Sequence, residues 1–456
     1  MKNIIKQKSQ LFILALLMGF AINVSAYEKE GVIEKEFDIK SNTRINFSNK
    51  SSDLTVKVWN QQKVKLECFY KLRANDQEDV ELTIQALKDM EVHNSSSLLE
   101  IKTGIFTNVK STVITGLVNR IVAKLTTGPT INLKSYKLNY VLTLPDNHDF
   151  KLHQKYSEVS MPNYAGKIEF DLYDVDMRAG QTPNVEMLTT KYSNLYFESL
   201  GDCVMDIYDT DIEIGVMGDM DLKSKYSKIE VDAMGNVVID SYDDKLYFTK
   251  LKSIEGKAKY TDLHIGDIEF GDLNLYDCEL RAKDCGSKLK LTGKYSGIVF
   301  ENVAIFEYPD CYDNKVEANY VGEFSSNSKY TEFEFGRISG MIDFDTYDDK
   351  FTVSRIDKDF YSIRVDGKYS DVDLQFSGTP QYFMDVNFKY TKYEIPKGVL
   401  YSDVETKSSQ FIAKGRTEGL RSSDNANVRK GKNGVRKADI GRMSFVQYDG
   451  TLFIKY

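Results

Sequence analysis

From Leu152 onward, pairs of apolar residues two apart recur every 17 or 18 positions. One column reads Val159, Met177, Leu195, Ile212, Ile229, Leu246, Leu263, Leu280, Ile298, Val316, Phe333, Phe351 and Val372, its last step being 21. Two residues on, from Met161 through Phe197 and Phe248 to Leu374, a second column is apolar at every repeat. Such alternation is the mark of a strand with one face buried. Gly166, Gly201, Gly218, Gly235, Gly271, Gly286, Gly322 and Gly340 mark a second corner. One unit therefore reads strand, corner, strand, corner. A period this short is one turn of a β-solenoid, since a propeller blade needs about 40 residues and four strands. The predicted fold is all-β: a single-stranded β-solenoid (β-helix) of about 13–16 coils, stacked about 4.8 Å apart, with one short helix.

Two corner types alternate along this frame. Lys-Tyr-Ser/Thr coils place Lys191, Lys225 and Lys259 in the column that Tyr208, Tyr242, Tyr276, Tyr312 and Tyr347 occupy in Tyr-Asp coils. This column is out of phase with the apolar one, so it should form an outward stripe in which lysine stems stack on rings. The next column alternates Tyr192, Asp209, Tyr226, Asp243, Tyr260 and Asp277, which keeps like charges off adjacent coils. The pattern thus predicts two stripes, one Lys/Tyr and one Tyr/Asp. The Lys/Tyr stripe is the candidate binding surface, because exposed aromatics on a rigid sheet can stack on sugars or dock proteins. The recurring Asp174, Asp209, Asp243, Asp277, Asp313 and Asp348 read as corner chemistry. Spaced about 10 Å apart, on every second coil, they are too far apart to share a calcium ion.

The flanks are less regular. Residues 27–150 form a β-rich segment expected to supply the first coils and a cap, followed by regular solenoid over 151–396 and a C-terminal segment over 397–456. Asp76 can cap a helix over 76–90, whose Val80, Ile84 and Leu87 share one face. Residues 117–125 fit either a short amphipathic helix or a strand with a loop. Lys389-Tyr390-Thr391 resembles one more corner, read as a fourteenth coil. Residues 414–442 are basic and poor in apolar side chains, which predicts a mobile loop. Residues 443–456 return to strand, with a corner at Tyr448-Asp449-Gly450, and should dock back on the solenoid.

Residues 1–26 read as a signal peptide: basic Lys2, Lys6 and Lys8, an apolar run from Leu11 to Ile22, then Val24-Ser25-Ala26. The expected address is therefore export in a Gram-negative-type bacterium: periplasmic, at the cell surface or secreted. The formal charge of −8 becomes more negative once those lysines are removed, which argues against nucleic acid as a partner. Five cysteines at irregular spacing match no zinc or haem pattern, and Cys278 and Cys285 are the nearest pair for a disulfide. His148 and His153 lie five apart with no third ligand in view, so no metal site is expected. No nucleophile elbow or phosphate loop is present, and no cofactor is expected.

Lys35-Glu36-Phe37-Asp38-Ile39, the Asn49-Lys50-Ser51-Ser52-Asp53-Leu54-Thr55-Val56 run ending in Trp59, and the repeated turn followed by apolar-x-apolar together resemble the bacterial putative-adhesin β-solenoid family. That resemblance implies a β-helix-like fold and an envelope or secreted role, and it brings no functional residues with it. Many of the family's turn glycines are here Tyr-Ser or Tyr-Asp. The expected function is a non-enzymatic, adhesin-like envelope or surface protein that binds a glycan or an envelope protein along the solenoid. The alternatives are a β-helix carbohydrate-active enzyme, which would need a local break in the repeat, and a structural spacer.

Overall fold

The computed structural model describes residues 26–114, 117–425, 427–431 and 434–456, so the expected signal peptide, but for Ala26, lies outside the described residues. The chain divides into two compact units: one runs to Pro145 and includes Tyr156–Val159, and the other comprises Asp146–Lys155 and Ser160–Tyr456.

In the first unit, Lys63–Ala74 pairs antiparallel with Tyr27–Asp38 on one side and with Thr130–Pro145 on the other. The expected helix, α1, spans Gln77–Lys88. The Asp76 carboxylate accepts from the Glu78 backbone N–H at 2.9 Å, and Val80, Ile84 and Leu87 are buried. Residues 117–125 resolve to the strand option: Leu117–Leu125 pairs antiparallel with Phe106–Ile114 and with Thr130–Pro145. The helical alternative fails because pairing with both neighbours meets the backbone groups of this stretch.

The second unit is the β-solenoid. Leu195, Ile212, Ile229, Leu246, Leu263 and Leu280 are register partners on successive parallel strands, and all are buried. The column continues through Ile298, Val316, Phe333, Phe351 and Val372. Phenylalanine thickens the core towards the C-terminal end. The Phe324 ring lies 5.0 to 5.6 Å from Phe333, Phe335, Phe344 and Phe351.

Each coil has one sharp corner. At Asp174, Tyr192, Asp209, Tyr226, Asp243, Tyr260, Asp277 and their successors, φ lies between 48° and 60°. Aspartate visits this left-handed region readily, but tyrosine does so at a cost of about 1 kcal/mol. The second corner is weaker than expected. It interrupts the coils near Gly201 and Gly218, whereas Lys228–Tyr242, Lys245–Lys259 and Asp262–Tyr276 are continuous strands. Those two glycines are there for close approach: a Cβ on Gly201 would meet the Pro183 carbonyl at 1.8 Å, and one on Gly218 would meet Asp202 Oδ1 at 2.2 Å.

The C-terminal end departs from chain order. Ser362–Phe376 pairs along thirteen residues with the terminal strand, Gly441–Lys455. The other edge of the terminal strand pairs with Tyr382–Lys389 and Lys392–Glu394. The terminus therefore docks back as expected, but inside the stack. The Tyr390 corner, read as the fourteenth coil, is displaced one place by the Tyr448-Asp449 corner. The hairpin of Val399–Lys407 and Gln410–Thr417 then covers Tyr382–Lys389 antiparallel.

Within 414–442, residues 418–425 form no strand and are mostly exposed, but beyond them the expected loop is partly built into structure. Val428–Lys430 and Arg436–Ala438 form a two-stranded ladder. Val435 is buried, and its methyls lie where a Cβ on Gly322 or Gly340 would be, 2.5 and 2.8 Å away. Arg436 grips Glu323 through Nη2 at 2.9 Å and Nε at 3.1 Å. Lys437 lies 3.2 Å from Asp359 and 3.6 Å from Asp357. Burial opposes charge on Asp357, yet the Arg337 fork and Lys437 hold its carboxyl below the usual range. Three of the basic side chains that suggested a solvated loop, Arg429, Arg436 and Lys437, are counterions for coil carboxylates distant in sequence.

Candidate functional site: a groove across the coils

The corner edge is a closed system of contacts. Lys191, Tyr208, Lys225, Tyr242, Lys259 and Tyr276 are register partners, as the repeat predicts. Lys191 Nζ lies 5.9 Å from the Tyr208 ring centre and Lys225 Nζ 5.7 Å from that of Tyr242. The two stripes, however, do not stay apart. The left-handed corner brings each corner tyrosine beside its neighbours in the preceding column. Tyr173, Tyr192, Tyr208, Tyr226, Tyr242, Tyr260, Tyr276 and Tyr295 follow one another edge to face, with centroids 5.2 to 5.8 Å apart. The ladder runs on through Tyr312, Tyr330, Tyr347 and Tyr369. It then crosses the inserted strand, from Tyr369 to Tyr448 and on to Tyr390.

Lys191, Lys225 and Lys259 are exposed, but Tyr208, Tyr242, Tyr312 and Tyr347 are half-buried. Tyr276 is 37% exposed, against 44% for Tyr192 and 46% for Tyr226 in the neighbouring column.

Beneath the rings runs a buried polar ladder that the repeat analysis missed. Most residues after the corner offer a side-chain oxygen to the corresponding backbone N–H one coil back, but Cys278 has none to offer. Thr210 Oγ1 accepts from Ser193 at 3.3 Å, Ser227 Oγ from Thr210 at 3.3 Å, and Asp244 Oδ1 from Ser227 at 2.8 Å. Asn314, Thr331, Asp349 and Ser370 repeat this. The N–H group freed by the corner is thereby met inside the protein. Asp244 also accepts from the Ser224 and Ser241 hydroxyls, both at 2.6 Å. Burial raises the pKa of Asp244 and Asp349 despite these donors.

The cysteines are free and buried, Cys278 and Cys285 included. Burial pushes the Cys285 thiol up to about 11 and those of Cys203 and Cys311 to about 12, so none is a ready nucleophile. His153 Nδ1 sits 2.7 Å from Asp171.

A different face carries an open groove of about 830 Å³. It follows the two outward columns that flank the second apolar column, from Tyr247 to Ser354. Gly266 and Gly336 form part of its floor, where the backbone bends close to the preceding coil. A Cβ on Gly266 would meet the Thr249 carbonyl at 2.1 Å. Along the first column, Tyr247, His264, Arg281, Val299, Glu317 and Glu334 are successive register partners. The Tyr247 and His264 rings stack, 4.7 Å apart and inclined by 15°. Lys283 lies two residues beyond Arg281 on the same outward face. Among the described residues no ion pair or hydrogen bond engages Arg281 or Lys283. The acidic end is neutralised: Lys315 lies 2.7 Å from Glu317, and Lys350 lies 3.7 Å from Glu334. Lys228 Nζ lies 5.7 Å from the Tyr247 ring centre, so the Tyr247 and His264 pair has its ring faces engaged within the stack, and the two free cations beside it can take an anionic group.

None of these groove residues was singled out by the repeat. Their only signal is a change along one outward column, from Glu213 and Glu230 to Tyr247, His264 and Arg281.

No helix among the described residues is long and apolar enough to cross a membrane. No protein-family model matches the chain, and no curated protein matches it. Among solved structures, it is similar to a protein of Clostridium sporogenes described as a "putative cell adhesion protein", at 9% identity and a TM-score of 0.15, covering 94% of this chain and 99% of that one. It is also similar to a protein of Bacteroides fragilis described as a "putative adhesin", at 10% identity and a TM-score of 0.13, covering 93% and 98%. At such scores neither likeness carries an argument about this chain.

Proposed function

We propose that this is an exported, non-enzymatic, adhesin-like protein whose groove from Tyr247 to Ser354 binds an extended glycan bearing acidic groups. The observation that carries this reading is the unpaired Arg281 and Lys283 beside the stacked Tyr247 and His264. The corner edge is the weaker candidate, because its Lys191 and Lys225 already lie over tyrosine rings, whereas Arg281 and Lys283 have no partner. A hydrolytic centre needs a carboxyl held protonated near a second, ionised one, whereas Glu317 and Glu334 each have a lysine beside them.

The test is retention of acidic and neutral polysaccharides by the mature protein. Arg281→Ala combined with Lys283→Ala should weaken retention of acidic polysaccharide at least tenfold and abolish its salt dependence. Joint replacement of Tyr208, Tyr242 and Tyr276 by Ala should leave retention intact. Loss only in the tyrosine variant, with its fold preserved, would move the site to the corner edge. Depolymerisation of a retained polysaccharide would overturn the non-enzymatic reading.

A further inference from the structure

The place where chain order and spatial order part company has a consequence for assembly. Among the described residues, Ser362–Phe376 and Tyr382–Lys389 do not pair with each other, although they are consecutive coils in sequence. Each pairs instead with Gly441–Lys455, which enters from the end of the chain. The corner code marks the gap. Lys368-Tyr369 and Lys389-Tyr390 are two Lys-Tyr corners in succession, the one place in the repeat where no Tyr-Asp corner separates such a pair. The missing corner is Tyr448-Asp449, and its ring restores the edge-to-face ladder on both sides, 5.9 Å from Tyr369 and 5.7 Å from Tyr390.

We propose that the space between Ser362–Phe376 and Tyr382–Lys389 is a strand-acceptor slot, and that the terminal strand of a second copy of this chain fills it in trans. The exchanged piece would be residues 428–456. It carries its own anchors: Arg436 for Glu323, Lys437 for Asp359, Lys455 for Asp373 at 3.0 Å, and Tyr456, whose hydroxyl meets that of Tyr382 at 2.7 Å. The hinge is the polar stretch from Glu418, where Gly419 has φ 93° and the described residues are mostly exposed. Every contact of the closed monomer can be made again between copies, so the two forms differ mainly in tether entropy and protein concentration. A short tether gives an effective concentration of the order of millimolar, so the closed form dominates in dilute solution and exchange follows crowding or refolding at high concentration.

The experiment uses two full-length variants. Asp385 and Ser444 are register partners on the acceptor and terminal strands. Asp385→Cys and Ser444→Cys chains, carrying different tags, are unfolded, mixed, refolded at high concentration and oxidised. Exchange predicts a disulfide-linked heterodimer at least tenfold above any dimer formed by either variant alone. The chain carrying both substitutions should close on itself in dilute solution, which verifies the geometry. If the double variant closes but the mixture gives no heterodimer, the strand docks only on its own chain and the proposal fails. Light scattering on refolded natural protein gives a second readout: a monomer at every concentration would overturn the proposal as well.

Discussion

The corner edge and the groove lie on the same coils and are built on opposite principles. At the corner, every coil repeats one solution. A left-handed Tyr or Asp turns the chain, a tyrosine at that position or just before it packs against two others, and on most coils the N–H after the corner finds an oxygen one coil away. In the groove, adjacent coils differ at the same register position, aromatic, cationic, aliphatic and then acidic, and Arg281 and Lys283 are left without partners. A stack gains stability from contacts that every coil can share. A ligand needs a place where sharing stops. Regularity therefore points to support, and the breach in it to recognition, even though the regular edge displays the more conspicuous aromatics.

That contrast can be broken at several points. Asp244→Ala should have the largest effect. It strands the Ser227 and Tyr242 N–H groups and two hydroxyls in the interior, at a cost of about 3 kcal/mol in denaturant unfolding. Tyr226→Ala removes two edge-to-face contacts while leaving the corner backbone strained, and should cost about 2 kcal/mol by the same measurement.

Asp349→Asn tests the buried ladder through pH. The folded-state pKa of Asp349 is raised, so the native state holds its proton more tightly than the unfolded chain does. Its contribution is therefore most favourable below the ordinary carboxylate pKa, about 3.9, and is lost as pH rises through the higher folded value. The Asn variant should show a shallower loss of stability across that window in a pH series of melting temperatures. An unchanged slope would mean that Asp349 does not titrate there. The smallest effect belongs to the groove: Arg281→Ala with Lys283→Ala should stay within about 0.5 kcal/mol of the parent, since neither side chain holds anything in place. A large loss would show that the two cations support the fold.

The apolar columns were fully legible because they depend on a period and on nothing else. The cap of α1 was legible for the same reason, its signals being local. What escaped the sequence depends on backbone direction or on distant partners. Tyr192 and Tyr208 read as separate stripes because strand alternation assigns neighbours to opposite sides, and only the positive φ at the corner brings their rings together. Residues 414–442 read as solvated because composition counts charges and cannot see Glu323 or Asp359 opposite them. The groove was invisible because its lining changes residue type from coil to coil, so that no single residue type marks it. The inserted strand lay between these cases. Two Lys-Tyr corners in a row announced it, to a reader who asked where the missing Tyr-Asp had gone.

The out-of-order coil also bears on how the protein is made. Synthesis delivers the chain from its N-terminus, so most coils can stack as they emerge. The fourteenth place cannot be filled until residues 441–456 have left the ribosome. A chain cut before Gly441 would have two unsatisfied strand edges, the kind of surface that proteases and aggregation find first. The position of one strand thus ties the closing of two coils to a segment far along the chain, and only a chain that contains residues 441–456 can hide these edges.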